Sequence, residues 1–251
     1  SQRVAGAERL ALVEAQLGGR GATDLTVSAP GQLSLTVRAP DRDAHKIQTS
    51  VHGREVGATC APQELSAWFS AYLGRPVVAV YQCDNDIRHC NPIYSLHPGT
   101  DEVSLADAYP VLIANTATLA HVESIGGAKI EMARFRPNIV IEGAERDVEY
   151  RALRLAIGEV EFALVKPSDR CILTRVDPSL GVVAGPRPDE ILRRGYFLAQ
   201  SGMGLHEPKA TLRGVIFGMN AIAIAAGTVR VGDPVTIKEW SNTRLEFQSL
   251  R

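Results

Sequence analysis

Two short apolar alternations face each other across Gly158-Glu159: Leu153, Leu155 and Ile157 on one side, Val160, Phe162 and Leu164 on the other. A period of two sends one face of each segment into a core and the other outward, which is a strand pattern and not a helical one. The same pattern recurs along the chain. Leu25-Thr26-Val27-Ser28 leads through Ala29-Pro30-Gly31 into Leu33, Leu35 and Val37, and Val229, Val231, Val235 and Ile237 surround Gly232-Asp233-Pro234. Both read as strand-turn-strand. Helices are fewer. Leu65, Trp68, Phe69 and Tyr72 form one apolar stripe over 62–73, and Leu119, Val122 and Ile125 form another over 116–125 that stops at Gly126-Gly127. A less regular third spans 188–197. The expected fold is therefore mostly β (α+β), and the turn-rich piece 84–102 is the expected boundary between two β-rich units.

Composition excludes several classes of function. With a formal net charge of -1 over 251 residues, general binding to nucleic acid or to an anionic membrane surface is not expected, so any anion site must be local. No apolar run approaches the ~20 residues of a membrane helix. No leader pattern opens the chain, which makes a cytoplasmic protein the simplest expectation. The four cysteines, Cys60, Cys83, Cys90 and Cys171, show no C-x-x-C pair. Cys83 and Cys90 flank CDNDIRHC, where two reduced loop thiols fit better than a metal cage, since the ligand spacing is missing.

The stretch KPSDRCILTRVDP, residues 166–178, carries more chemistry. Pro167 cannot donate to a ladder and Ser-Asp favours turns, so 168–170 is expected to be a loop, with Cys171 at the mouth of a strand over 172–176. Lys166 and Arg170 nearby favour a thiolate, suited to nucleophilic attack or to a soft metal centre. Loop amides, Ser168 and the two cations would also suit a phosphate. On spacing alone, the same residues fit a half-buried structural cysteine in a charged loop better. In 134–141, Arg134, Arg136 and Asn138 precede an apolar strand; taken alone, arginines there read as a solvated edge.

Taken together, ARFRPNIVIEG, KPSDRCILTRVDPSLG and GTVRVGDPVTI, in this order, resemble the MOSC family. That family includes the molybdenum-cofactor sulfurase C-terminal domains and the amidoxime-reducing components. YPVLIANTATLAHVESIGG looks like the start of a MOSC domain. VHGREVGATCAPQELSAWFSAYLG looks like the end of the β-rich domain that precedes it in the amidoxime-reducing branch. The resemblance implies a MOSC β-barrel with a few peripheral helices over 93–251, its strands reaching about as far as Trp240. It also implies a smaller, N-terminally incomplete β-rich domain over 1–92.

What the resemblance implies chemically is a molybdenum cofactor (molybdopterin) site. Cys171 matches the family's molybdenum ligand and catalytic cysteine. Arg136 and Asn138 match cofactor-contacting positions of F-R-P-N, and Ser168, Asp169 and Arg170 line the same loop. Asn115 and Thr116 match a helix start whose free amides meet the pterin or its phosphate, and Arg3 looks like the arginine of a T-x-R segment that binds that phosphate. At family level the resemblance also carries an association with pyridoxal phosphate. The implied activity is reduction of N-hydroxylated compounds, with electrons from a separate ferredoxin- or flavoprotein-type donor and without nucleic-acid or membrane partners.

The departures matter too. The branch's Y-P-V-K-S segment, whose Lys and Ser contact the phosphate, is absent. Where the family has E-P-L after the D-P-x-x-G turn, this chain has Arg187-Pro188-Asp189. A non-catalytic carrier of molybdopterin or sulfur, and a cofactor-free structural domain, therefore stand beside the reductase reading.

Overall fold

The computed structural model describes residues 6–18, 23–41, 43–202, 206, 210–242 and 245–248. The chain divides into one unit of Ser1–Arg88 with Val176–Ala184, and a second of His89–Arg175 with Gly185–Arg251.

In the first unit, β1 (Glu14–Leu17), β2 (Asp24–Ala29) and β3 (Gln32–Arg38) form one antiparallel sheet, and β4 (Lys46–Val51), β5 (Arg54–Cys60) and β6 (Val80–Tyr81) form another. The β2–β3 turn is Pro30-Gly31, with Gly31 at φ 76, where proline presets one φ and glycine tolerates the positive one. Helix α1 (Gln63–Leu73) buries Leu65, Trp68 and Tyr72 around Val27, and the Trp68 indole N–H donates to the Leu33 carbonyl at 2.6 Å. In CDNDIRHC it is Asp86, not the cysteines, that organises the first half. Its buried carboxylate accepts from Lys46 Nζ (2.7 Å), Thr59 Oγ1 (2.7 Å) and the Cys83 amide (3.1 Å). None of the four cysteines forms a disulfide, and Cys83 and Cys90 are buried.

The second unit is built on β7 (Val111–Asn115), α2 (Thr116–Gly126), β8 (Ile139–Ile141), β9 (Ala152–Ile157) and β10 (Val160–Asp169). After β10 the chain makes an excursion that belongs to the first unit, the two-stranded β11 (Val176–Asp177) and β12 (Val182–Val183). It then adds α3 (Pro188–Arg193), β13 (Phe197–Ser201), β14 (Thr211–Ala223), β15 (Val235–Trp240) and β16 (Phe247–Gln248). Among the described residues these strands form an eight-stranded sheet curled into a half-barrel, ordered β15-β9-β10-β14-β13-β16. Strand β7 lies on β14, and β8 is parallel to β7.

Strand β10 explains a feature that alternation alone misses. Phe162, Ala163, Leu164 and Val165 are all buried, because both faces of the strand are covered. Phe162 and Leu164 enter the main core, while Ala163 and Val165 pack on Cys90, Tyr94, Val103 and Tyr109 from the turn-rich segment before β7.

Long strand β14 serves three neighbours, β13 with its first half and β10 and β7 with its second. The change of partner is made at Gly218, at φ 77, where a Cβ would lie 2.8 Å from the Ile113 carbonyl oxygen. Its amide donates to the buried Tyr150 hydroxyl at 2.9 Å. Tyr150→Phe would strand that N–H, and the denaturation midpoint of the full chain is expected to fall by the equivalent of about 1–3 kcal/mol. An unchanged midpoint would mean the bend needs no such anchor.

Four local expectations are corrected. Of residues 168–170 only Arg170 lies outside a strand: β10 continues to Asp169. Its register against β14 slips twice, between Leu164 and Lys166 and between Pro167 and Asp169, so Pro167 sits at a bulge where its missing N–H interrupts no regular ladder. Residues 172–176 are not a strand over their length. Ile172–Arg175 is a 3-10 turn, closed by the Thr174 amide donating to the Cys171 carbonyl at 3.3 Å. Around Gly232-Asp233-Pro234 only the second strand forms: Arg230 and Asp233 close the turn through their backbones (3.1 Å), while 226–230 is irregular. The third helix is also shorter than 188–197, giving way after Gly195 to β13.

Candidate functional site

Two turns converge within the second unit. The first is the 3-10 turn Met132–Phe135, which ends on Arg136 in the left-handed region at φ 53 and ψ 48. An L-residue held there is uncommon. Asn138 fixes the backbone just beyond it. The Asn138 amide donates to the Leu112 carbonyl (2.9 Å) and its Oδ1 accepts the Leu112 amide (2.8 Å), so one residue extends the β7–β8 pairing backwards. Arg136 itself is exposed.

The second turn begins where β10 ends. Arg170 ties it to the first. Its Nη2 donates to the Phe135 carbonyl at 2.7 Å, its Nη1 to Ser168 Oγ at 2.9 Å, and its guanidinium lies 5.8 Å from the centre of the Phe135 ring. Phe135 in turn stacks on Phe217 at 3.9 Å, so the contact rests on the core. The Arg170 Nε–H is buried without a partner. Burial pulls the pKa of Arg170 below its usual range, and the nearby Cys171 and Asp107 oppose that pull. An orphaned buried donor on a charged group is costly, so its occurrence beside a half-exposed thiol marks a place for an acceptor. Cys171 is that thiol, half-buried and unpaired with any other cysteine. Lys166, by contrast, is already engaged: its Nζ is 2.8 Å from Asp169 Oδ1 and 5.7 Å from the Tyr94 ring centre.

Thus Arg136 lies on the first turn and Arg170 and Cys171 on the second, with Ser168 and Asp169 at the end of β10 that leads into it and Asn138 holding the first turn in register. Asn115 and Thr116 lie at the other end of β7 from Leu112. There Asn115 is fully buried. It caps α2 by accepting the Ala117 amide (2.9 Å), and its Nδ2 donates to the Glu145 carbonyl (2.8 Å) and Glu149 Oε2 (3.1 Å). Thr116 Oγ1 reaches the Ile141 carbonyl at 3.4 Å. Arg3 lies outside the described residues.

Sequence reasoning missed two residues here. Arg134, read as a solvated edge, is only 3% exposed. Its Nε pairs with Glu131 and its Nη1 donates to the Arg175 carbonyl at 3.2 Å. Arg175 then forks onto Asp189 of α3, Nε to Oδ1 at 2.8 Å and Nη2 to Oδ2 at 2.7 Å. The available signal was the Arg187-Pro188-Asp189 departure: Asp189 supplies an acid to α3's first turn, and the base at Arg187 is taken up by Glu190 at 2.8 Å.

Among the described residues no group of three or more His, Cys, Asp or Glu could hold a bare metal ion. One cysteine beside a buried arginine suits a metal that arrives already chelated by its own organic ligand, to which the protein adds a single thiolate.

Residues 100–236 match the family model described as MOSC domain. The chain is 31% identical over 230 residues to mitochondrial amidoxime-reducing component 1 of Homo sapiens, covering 90% of this chain and 66% of that protein. It is 30% identical over 222 residues to mitochondrial amidoxime reducing component 2 of Rattus norvegicus, and 28% over 214 residues to the Bos taurus protein of that name. In each of these the match covers 84% of this chain and 62% of the relative. The chain thus spans just under two thirds of the length of these relatives.

Proposed function

This chain belongs to the MOSC domain family, and we propose that its two linked turns hold a molybdenum cofactor, with Cys171 as the protein ligand, to reduce N-hydroxylated compounds. The observation that carries the reading is the unpartnered, buried Nε–H of Arg170 beside the half-exposed Cys171 thiol. When bound, the cofactor would supply two-electron oxygen removal: the substrate N–OH becomes N–H, and its oxygen leaves as water after uptake of two electrons and two protons. The chain's own residues do the rest. Arg170 keeps positive charge against the Cys171 sulfur, and Ser168 fixes the guanidinium plane. Arg136 offers a cation to the cofactor's anionic part from a loop that Asn138 holds in place. Asn115 and Thr116, at the other end of β7, serve the α2 start, where the Asn115 side chain is spent on the cap.

On β10, Lys166 is paired with Asp169. No helix among the described residues is long and apolar enough to cross a membrane. A separate protein of ferredoxin or flavoprotein type as electron donor belongs to this proposal, as does a cytoplasmic location.

The test is metal and pterin analysis of protein expressed with cofactor supply, followed by an amidoxime reduction assay with a reduced donor. Molybdenum with turnover supports the reductase. Molybdenum without turnover under any donor leaves the carrier reading, and absence of both sinks the proposal. Within the same preparation, Arg136→Ala is expected to weaken pterin retention by about 1–3 kcal/mol, the size of one charge-assisted hydrogen bond. Equal retention on dialysis would remove Arg136 from the site.

A further inference from the structure

The excursion Val176–Ala184 leaves the second unit directly after Arg175 and returns at Gly185. Both points are in contact with one side chain. Arg134 Nη1 donates to the Arg175 carbonyl, and a Cβ on Gly185 would lie 3.1 Å from Arg134 Nη2. Gly185 adopts φ 75, so a side chain there would be disfavoured by the backbone as well as by the guanidinium. The third guanidinium nitrogen, Nε, pairs with Glu131, the residue preceding the Met132–Phe135 turn. Arg134 is therefore a buried fork whose arms reach the start of one site turn, the end of the other, and the returning chain. The 3-10 turn Ile172–Arg175 is all that lies between Cys171 and this anchored carbonyl. A second brace acts at the same point, the two-bonded contact of Arg175 with Asp189.

We propose that Arg134, assisted by the Arg175–Asp189 pair, is a positioning residue that fixes the Cys171 turn against the Met132–Phe135 turn. Such a fork cannot be replaced by a point charge, because its donors are set in one plane by the guanidinium. A single 3-10 turn of four residues has no stability of its own. Without the braces it opens locally, and the thiol it carries becomes more accessible while the rest of the fold persists. The role matters for function only through the cofactor reading above, on which it rests, but its consequences appear without any cofactor.

The experiment uses the full chain without cofactor and compares alkylation of Cys171 with that of Cys60, each followed by mass spectrometry of the folded protein at one neutral pH. Arg134→Met removes all three arms and is expected to raise the Cys171-to-Cys60 rate ratio about tenfold, the change that goes with opening of one turn. Arg134→Lys retains a charge toward Glu131 and is expected to recover part of the effect. If Arg134→Met does not fold, Asp189→Asn, which preserves shape and disturbs only the second brace, is expected to give a smaller rise in the same direction. An unchanged ratio in whichever of these folds overturns the positioning role, since a general loss of stability would not single out Cys171. Molybdenum content measured in parallel separates the two readings. A parent that never holds molybdenum defeats the cofactor proposal, whereas the alkylation ratio decides the brace in either case.

Discussion

Cys171→Ser is expected to leave the protein folded and to remove molybdenum from it, lowering metal retention by well over about tenfold. The change is one atom in a half-buried, unbonded side chain, so little packing is lost and the 3-10 turn closed on the Cys171 carbonyl is untouched. The chemistry changes completely. Sulfur is a soft donor to a metal, whereas a serine hydroxyl oxygen is hard. The buried guanidinium of Arg170 then lies beside an oxygen in place of the sulfur. Elemental analysis after expression with cofactor supply reads the result, with Cys60→Ser as the control expected to match the parent. Full molybdenum occupancy in Cys171→Ser would end the ligand assignment. Loss of fold would show that the cysteine is chiefly structural.

The second large effect concerns Glu149, which takes no part in the proposed chemistry. Its carboxyl is completely buried, and this burial, outweighing the bonds from its own backbone, Thr118 and Asn115, pushes it up to about 7 from an ordinary 4.5. Between those two values the folded chain keeps a proton that the unfolded chain has released. The unfolded state binds fewer protons there, so stability falls as pH rises through the window and levels off above it. For a shift of this size the loss is about 3 kcal/mol. Glu149→Gln stays neutral at every pH and still offers an oxygen to Asn115 Nδ2. Urea denaturation from pH 4 to 8 is expected to show the variant gaining on the parent through the window and standing about 3 kcal/mol above it at pH 8. Parallel curves would place the Glu149 titration elsewhere.

Much of the strand content was legible from period-two alternation, and α1 and α2 from their apolar stripes and terminal glycines. These are local signals. What escaped reading depends on neighbours. Pro167 reads as a strand breaker until β14 is known to bulge against it, and 172–176 reads as a strand because nothing in the sequence says it has no partner. The chemistry divides the same way. Cys171, Arg136 and Arg170 draw notice only through ARFRPN and KPSDRC read together; taken alone, a cysteine beside cations reads as structural and an arginine before a strand as a solvated edge. Arg134 and Glu149 look like ordinary surface charges, and only the chains packed around them make them buried. Glu149 announces itself just by the Asn115 cap it meets, which lies 34 residues away.

The short excursion Val176–Ala184 has a consequence for how such a protein can be cut or recombined. Because this piece folds with the first unit while its flanks belong to the second, the polypeptide passes between units three times, and no single junction separates them. A fragment starting at His89 would carry the β11–β12 hairpin without the Glu8–Leu12 turn against which Gly181 lies, the backbone of Arg9 and the side chain of Leu12 among its nearest neighbours. It would also display Leu180, Val182 and Val183, already 59%, 48% and 61% exposed, on an unsupported loop. Exchanging the first unit between homologues therefore requires two donor segments, one on each side of 89–175, not one.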